Sequence, residues 1–194
     1  MESAPQVIAL VGSVGGLAAV TTVLEALPPD VSATVLVLLH QAPDHVSRLA
    51  AILDRRCSLA VVPATDGAAL RAGRVLVAPS GKHLLVAHDE TVALIVSGAF
   101  PPSRPSADLL LTTLACACRQ RVVAVVLSGN GHDGATGATA VHHFGGTVVA
   151  SDEFTSEVFA MPTATIDRGD AIDHVLPLEQ IPSFLVELTS PCGP

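Results

Sequence analysis

Val7-Ile8-Ala9-Leu10-Val11-Gly12-Ser13 reads as a buried strand ending on a glycine turn that carries a serine. Two further runs have the same form. Val35-Leu36-Val37-Leu38-Leu39 runs into His40, and Val122-Val123-Ala124-Val125-Val126-Leu127 runs into Ser128-Gly129-Asn130-Gly131-His132-Asp133. Continuous Val, Leu and Ile bounded by turn residues mark the strands of a parallel sheet covered on both faces. In open α/β sheets, ligands bind beyond the carboxyl ends of the strands. The pattern therefore delivers a serine, a histidine and an aspartate, distant in sequence, to one sheet edge. Nucleophilic acyl transfer needs that set: a hydroxyl, a base for its proton and a carboxylate to orient the base.

Between these runs the periodicity changes. Leu17, Val20, Val23, Leu24 and Leu27 share one face of a helix over about 17–27, ended by Pro28-Pro29. A second helix is expected over about 46–55, capped by Asp44 or Ser47, with Val46, Leu49, Ala50 and Leu53 facing in. Ser58–Pro63 reads as a short strand. Val75–Ala78, His83–Ala87 and Val92–Val96 read as successive strands of a small antiparallel element around 75–96. Phe100–Pro105 is a proline-rich loop, and Ser106 caps a helix through Cys118 with Asp108 in its first turn. After the strand at 121–127, a helix over 135–144, a strand at 147–150, a short helix around 155–160 stopped by Met161-Pro162, and a last helix from Leu178 or Pro182 complete the chain. The alternation predicts one doubly wound α/β domain over 1–194: a mainly parallel sheet with helices on both faces and right-handed crossovers.

Composition narrows the function classes. The chain has 194 residues, 3% aromatic, with no Trp or Tyr, and a net charge of −8. Few aromatics and no basic cluster argue against nucleic acid and anionic membranes as partners. No apolar run reaches membrane-spanning length. The first residues, Met1-Glu2-Ser3-Ala4-Pro5-Gln6, lack the basic start and apolar stretch of a signal peptide, so a cytoplasmic protein is expected. Cys57, Cys116, Cys118 and Cys192 are scattered, and read as reduced residues, the first three partly buried.

Each candidate has a plain alternative. Gly12-Ser13-Val14-Gly15-Gly16 has the look of a phosphate loop, but the spacing is not G-x-G-x-x-G and no Walker lysine follows. The second strand ends in His40 where a dinucleotide fold carries an acidic residue. Val11 two residues before Ser13, and the order Ser, His, Asp, separate it from the α/β-hydrolase elbow. His132, His142 and His143 raise a metal option, but neither H-E-x-x-H nor C-x-x-C is present, so neither metal nor cofactor is expected. Among the other histidines, His45, His83, His88 and His174 have no comparable placement. Asp133-Gly134 is also an ordinary turn pair.

Ordered together, these segments resemble the catalytic domain of the chemotaxis protein-glutamate methylesterases, the CheB type, over nearly the whole chain. The resemblance rests on Val7–Gly16, on Leu39-His40-Gln41-Ala42-Pro43 with Arg48-Leu49, and on Asp66-Gly67 followed by Val77–Leu84. Arg104–Asp108, Leu127–Ala135 and the stretch from Asp152-Glu153-Phe154 to Met161-Pro162 complete it. It implies Ser13 as nucleophile, His40 as base and Asp133 as the orienting carboxylate. It implies backbone oxyanion donors at Val14 and Asn130, and a substrate cleft at Gly12, Gly15, Gly16, Arg104 and Gly131. The family usually has threonine in place of Val14 and methionine in place of Asn130. Its usual N-terminal receiver domain is not expected here, because the first strand begins at about residue 7. The implied substrate is the methylated glutamate of chemoreceptor cytoplasmic helices, with glutamine deamidation as a side activity; control by a separate response regulator or kinase, and constitutive activity, both stay open. Two other readings stay open: a non-catalytic signalling scaffold that kept the triad, and a small-molecule serine esterase.

Overall fold

The computed structural model describes residues 5–43, 46–98 and 103–190. The expected cap Asp44, along with His45, the start of the proline-rich loop and Cys192, lies outside the described residues.

Seven strands form one parallel sheet: β1 (Gln6–Gly12), β2 (Ala33–Leu39), β3 (Ala60–Pro63), β4 (Arg74–Val77), β7 (Val122–Val126), β8 (Thr147–Ser151) and β9 (His174–Leu176). Their order across the sheet is β3-β4-β2-β1-β7-β8-β9. The chain therefore lays β2, β3 and β4 on one side of β1, with β4 entering between β2 and β3, then crosses back to lay β7 on the other side. The seam between β1 and β7 is a topological switch point, where loops diverge and leave a crevice at the carboxyl edge. β5 (His83–Val86) and β6 (Val92–Ile95) pair separately as an antiparallel hairpin. The antiparallel element is thus confined to 83–95. Val75–Val77 belongs to the main sheet, where β4 lies parallel to both β2 and β3.

The helices cover both faces. Alternate residues of β1 point to opposite sides, so Ile8 and Leu10 join one core and Val7, Ala9 and Val11 the other. The first core receives α1 (Gly16–Ala26), α2 (Leu49–Asp54) and α6 (Ile181–Thr189). The second receives α3 (Ala107–Cys118), α4 (Ala135–His143) and α5 (Ala160–Ile166), and the β5–β6 hairpin packs on α3. β2 is buried along its whole length, which is why its sequence runs apolar without alternation.

Three helix expectations need correction. α2 begins at Leu49, not 46, because the Ser47 hydroxyl accepts the Leu49 N–H at 3.2 Å and so sets the start of the turn; Val46 stays exposed. The helix expected at 155–160 lies at Ala160–Ile166. Pro162 opens it rather than stopping it, since a first-turn proline gives up no intrahelical bond. Leu17 is 40% exposed on α1, so it faces the sheet edge and not the core. Cys116 likewise points outward from α3, whereas Cys118 is buried. Burial and the Glu90 carboxylate push the Cys118 thiol up to about 11, so it stays a thiol. Among the described residues no helix is long and apolar enough to cross a membrane.

Candidate active site

Ser13 and His40 leave neighbouring strands side by side. β1 and β2 are in parallel register with Gly12 opposite Leu39, and the His40 N–H donates to the Gly12 carbonyl at 3.2 Å. The turn that follows β1 is pinned from the other side, where the Ser13 N–H donates to the Ser128 carbonyl at 3.0 Å. Ser13 is half-buried at the mouth of the crevice.

Asp133 reaches this pair from the loop after β7. Its Oδ2 lies 2.8 Å from His40 Nε2. The same carboxylate closes the N-terminus of α3. Oδ2 accepts the Ala107 N–H at 2.7 Å, and Oδ1 accepts the Asp108 N–H at 3.0 Å and the Ser106 hydroxyl at 2.9 Å. Burial raises the pKa of this carboxyl, but the bonds from His40, Asp108 and Ala107 outweigh burial and hold it below the usual carboxylate range. An ionised carboxylate only accepts, so the shared proton belongs to Nε2 of His40. The lone pair of the neutral ring is then on Nδ1, the nitrogen free to take a proton from a nucleophile.

The floor of the turn is built from small residues. A Cβ on Gly12 would meet the Ser128 carbonyl at 3.0 Å, and one on Gly16 would meet Leu39 at 2.8 Å. Both glycines are buried, so they pack beneath Ser13 and do not line a cleft, contrary to expectation. Gly15, at φ +76, does line the crevice and faces Glu157. Gly131 is exposed, with open space around it. Arg104 is half-buried; its guanidinium donates to the Gly98 carbonyl. Among the described residues, neither the Val14 nor the Asn130 N–H is taken up by another group. A shallow groove runs from Ser13 along Leu17, Thr21 and Glu25 of α1 to Ile52 of α2 and Arg56 just beyond that helix, with Glu157 on its flank. Leu17 and Ile52 expose apolar surface along it, and Val14 is exposed beside Ser13.

Sequence reasoning missed part of the support. The Ser128 hydroxyl donates to the Val14 carbonyl at 2.8 Å and accepts the Val158 N–H at 2.9 Å, tying the turn to the loop before α5. Ser106 was legible as a cap, but not as a donor to Asp133. Asp108, read as a partner for its own helix dipole, instead accepts the N–H groups of Gly134 and Gly137 at 2.9 and 2.8 Å. His142 pairs with Asp173 at 3.5 Å, and among the described residues no group of three metal-ligating side chains gathers.

Comparison with known proteins gives a consistent picture. The family model for the CheB methylesterases matches residues 8–185. A protein-glutamate methylesterase/protein-glutamine glutaminase of Anaeromyxobacter dehalogenans is 42% identical over 95% of this chain and 53% of its own length. One of Moorella thermoacetica is 38% identical over 97% of this chain and 45% of its own length. The chain thus spans about half the length of these relatives. The crystal structure of the Thermotoga maritima CheB methylesterase catalytic domain superposes with a TM-score of 0.90 at 34% identity, covering 96% of this chain and 100% of that one.

Proposed function

This chain belongs to the CheB methylesterase family, and from that premise we propose that it is a serine hydrolase that removes methyl esters from glutamate side chains of chemoreceptors. Ser13 Oγ attacks the side-chain ester carbonyl while His40 Nδ1 takes its proton. Asp133 holds the imidazole with Nε2–H toward the carboxylate and stabilises the imidazolium. The tetrahedral oxyanion is met by the Val14 and Asn130 N–H groups. Collapse expels methoxide, which leaves as methanol with the proton from His40. Water then enters with His40 as base, and hydrolysis frees the glutamate carboxylate and Ser13. A glutamine amide in place of the ester would release ammonia by the same steps.

The observation that carries this reading is the 2.8 Å bond between His40 Nε2 and Asp133, beside Ser13 at a strand switch point. The open groove along α1 suits a protein substrate such as a methylated receptor helix better than an enclosed small molecule. Val14 and Asn130, where the family usually has threonine and methionine, do not by themselves favour a non-catalytic scaffold, because both positions serve through backbone N–H groups that any residue supplies. A cytoplasmic location and control by a separate response regulator or kinase complete the proposal.

The test is methanol release from a methylated receptor cytoplasmic fragment, run beside a simple methyl ester such as N-acetyl-glutamate γ-methyl ester. Turnover that strongly prefers the receptor fragment supports the proposal. Equal turnover of both would favour the small-molecule esterase, and no turnover of either the scaffold.

A further inference from the structure

His83 begins β5, is fully buried, and is used by no step of the mechanism. Its Nδ1 accepts the Ser106 N–H at 3.1 Å. The ring proton therefore belongs to Nε2, which lies 2.6 Å from Ser97 Oγ and donates to it. Burial and the nearby Arg104 lower the pKa of the ring, against an opposing pull from Asp133, and this keeps the imidazole neutral as the bonding requires.

Ser106 is where this matters. It is the N-cap of α3, buried, and its hydroxyl accepts the Leu109 N–H while donating to Asp133. The next two N–H groups, of Ala107 and Asp108, both bind Asp133. The Ser106 N–H points the other way and would be a buried orphan without His83. Residue by residue, the chain of bonds is Ser97, His83, Ser106, Asp133, His40.

We propose that His83 is a positioning residue for the Asp133–His40 pair: by accepting the Ser106 N–H it fixes the rotation of the α3 cap that presents three donors to Asp133. The hairpin of β5 and β6, which stands outside the main sheet, thereby sets the aim of the catalytic carboxylate. This inference rests on the hydrolase reading above.

The test compares two variants of similar polarity. His83→Asn keeps an acceptor oxygen near the position of Nδ1, within reach of Ser106. His83→Gln moves the amide outward to the level of Nε2, where it reaches Ser97 and leaves Ser106 unpaired. Rates are normalised to the folded fraction. The proposal expects kcat for His83→Asn within about threefold of wild type, and for His83→Gln about 10-fold to 100-fold lower, with KM unchanged in both. Equal normalised kcat in the two variants would overturn it, since a purely structural role does not distinguish the δ from the ε acceptor. The downfield proton of His40 Nε2, observed by NMR, gives a readout independent of turnover. It is expected to persist in His83→Asn and to shift or vanish in His83→Gln; the same resonance in both would also overturn the proposal. A wild type that shows this resonance but releases no methanol would count against the hydrolase reading alone. Nitrogen-15 shifts of His83 in the wild type need no variant to fold: a protonated Nδ1 would contradict the proposal outright.

Discussion

Asp108 and Asp133 each cap the helix that the other introduces. Asp133 precedes α4 and accepts the first N–H groups of α3; Asp108 lies in the first turn of α3 and accepts the N–H groups of Gly134 and Gly137 at the start of α4. Two helix N-termini, each partly positive, thus hold two carboxylates in an exchanged pair. The carboxylate proposed to orient His40 is thus set by this crossing of helices and not by its own loop alone.

Removing Asp108 should act on both helices. Asp108→Ala leaves the Gly134 and Gly137 N–H groups without their acceptor, at a cost of about 1–2 kcal/mol of stability. Asp108→Asn retains one acceptor oxygen and should lose less. Urea unfolding of the three proteins checks the order; equal losses for the two variants would show that the N–H groups find other partners.

The helices meet closely at Gly137, where a Cβ would lie 2.5 Å from Leu111 Cβ and 3.1 Å from Asp108 Cα. Gly137→Ala must push α3 and α4 apart, a clash worth roughly 1–3 kcal/mol. It should also lower kcat, because the two carboxylates move with their helices. Thermal unfolding and methanol release on the same preparation test this. An unchanged melting temperature would mean that the interface relaxes freely.

Acid should uncouple the site. Asp133 has a pKa held below the usual range by His40, Asp108 and Ala107 against the effect of burial. A depressed native pKa stabilises the fold above the unfolded value, near 3.9, and the contribution is lost as pH falls through the native value. Wild type should therefore lose stability below about pH 4 relative to Asp133→Asn, which has nothing to titrate there. Unfolding midpoints at neutral and acid pH measure the gap, and a gap independent of pH contradicts the assignment.

The two departures from family habit should be silent. Val14→Thr and Asn130→Met alter side chains that are exposed, while the N–H groups assigned to the oxyanion are backbone. Each is expected to change kcat/KM by less than about threefold, under ~1 kcal/mol of barrier. A tenfold gain in either variant would make the side chain part of the oxyanion site.

Much of this was legible in the sequence because it depends on strands. β1, β2 and β7 are buried on both faces, so their uninterrupted Val and Leu runs identify them, and the residue after each run is automatically at the sheet edge. What was not legible depends on partners far away in the chain. β4 carries the same short apolar pattern as β5 and β6, and nothing local says that it pairs with β2 and β3. β9 is a three-residue edge strand whose His174 and Val175 are exposed, so it leaves no periodic trace. Pro162 was read as a stop because a proline marks the first turn of a helix as readily as its end. His83 looked like an ordinary strand residue, since its chemistry arises only when β5 packs on the cap of α3.

The central claim is that Ser13 is the nucleophile that His40 and Asp133 serve. The direct measurement is methanol release from a methylated receptor cytoplasmic fragment by wild type and by Ser13→Ala, with folding of both checked by thermal unfolding. The account predicts an unchanged melting transition and a loss of about 10⁴–10⁶-fold in rate for the variant. Release by Ser13→Ala at the wild-type rate would contradict it.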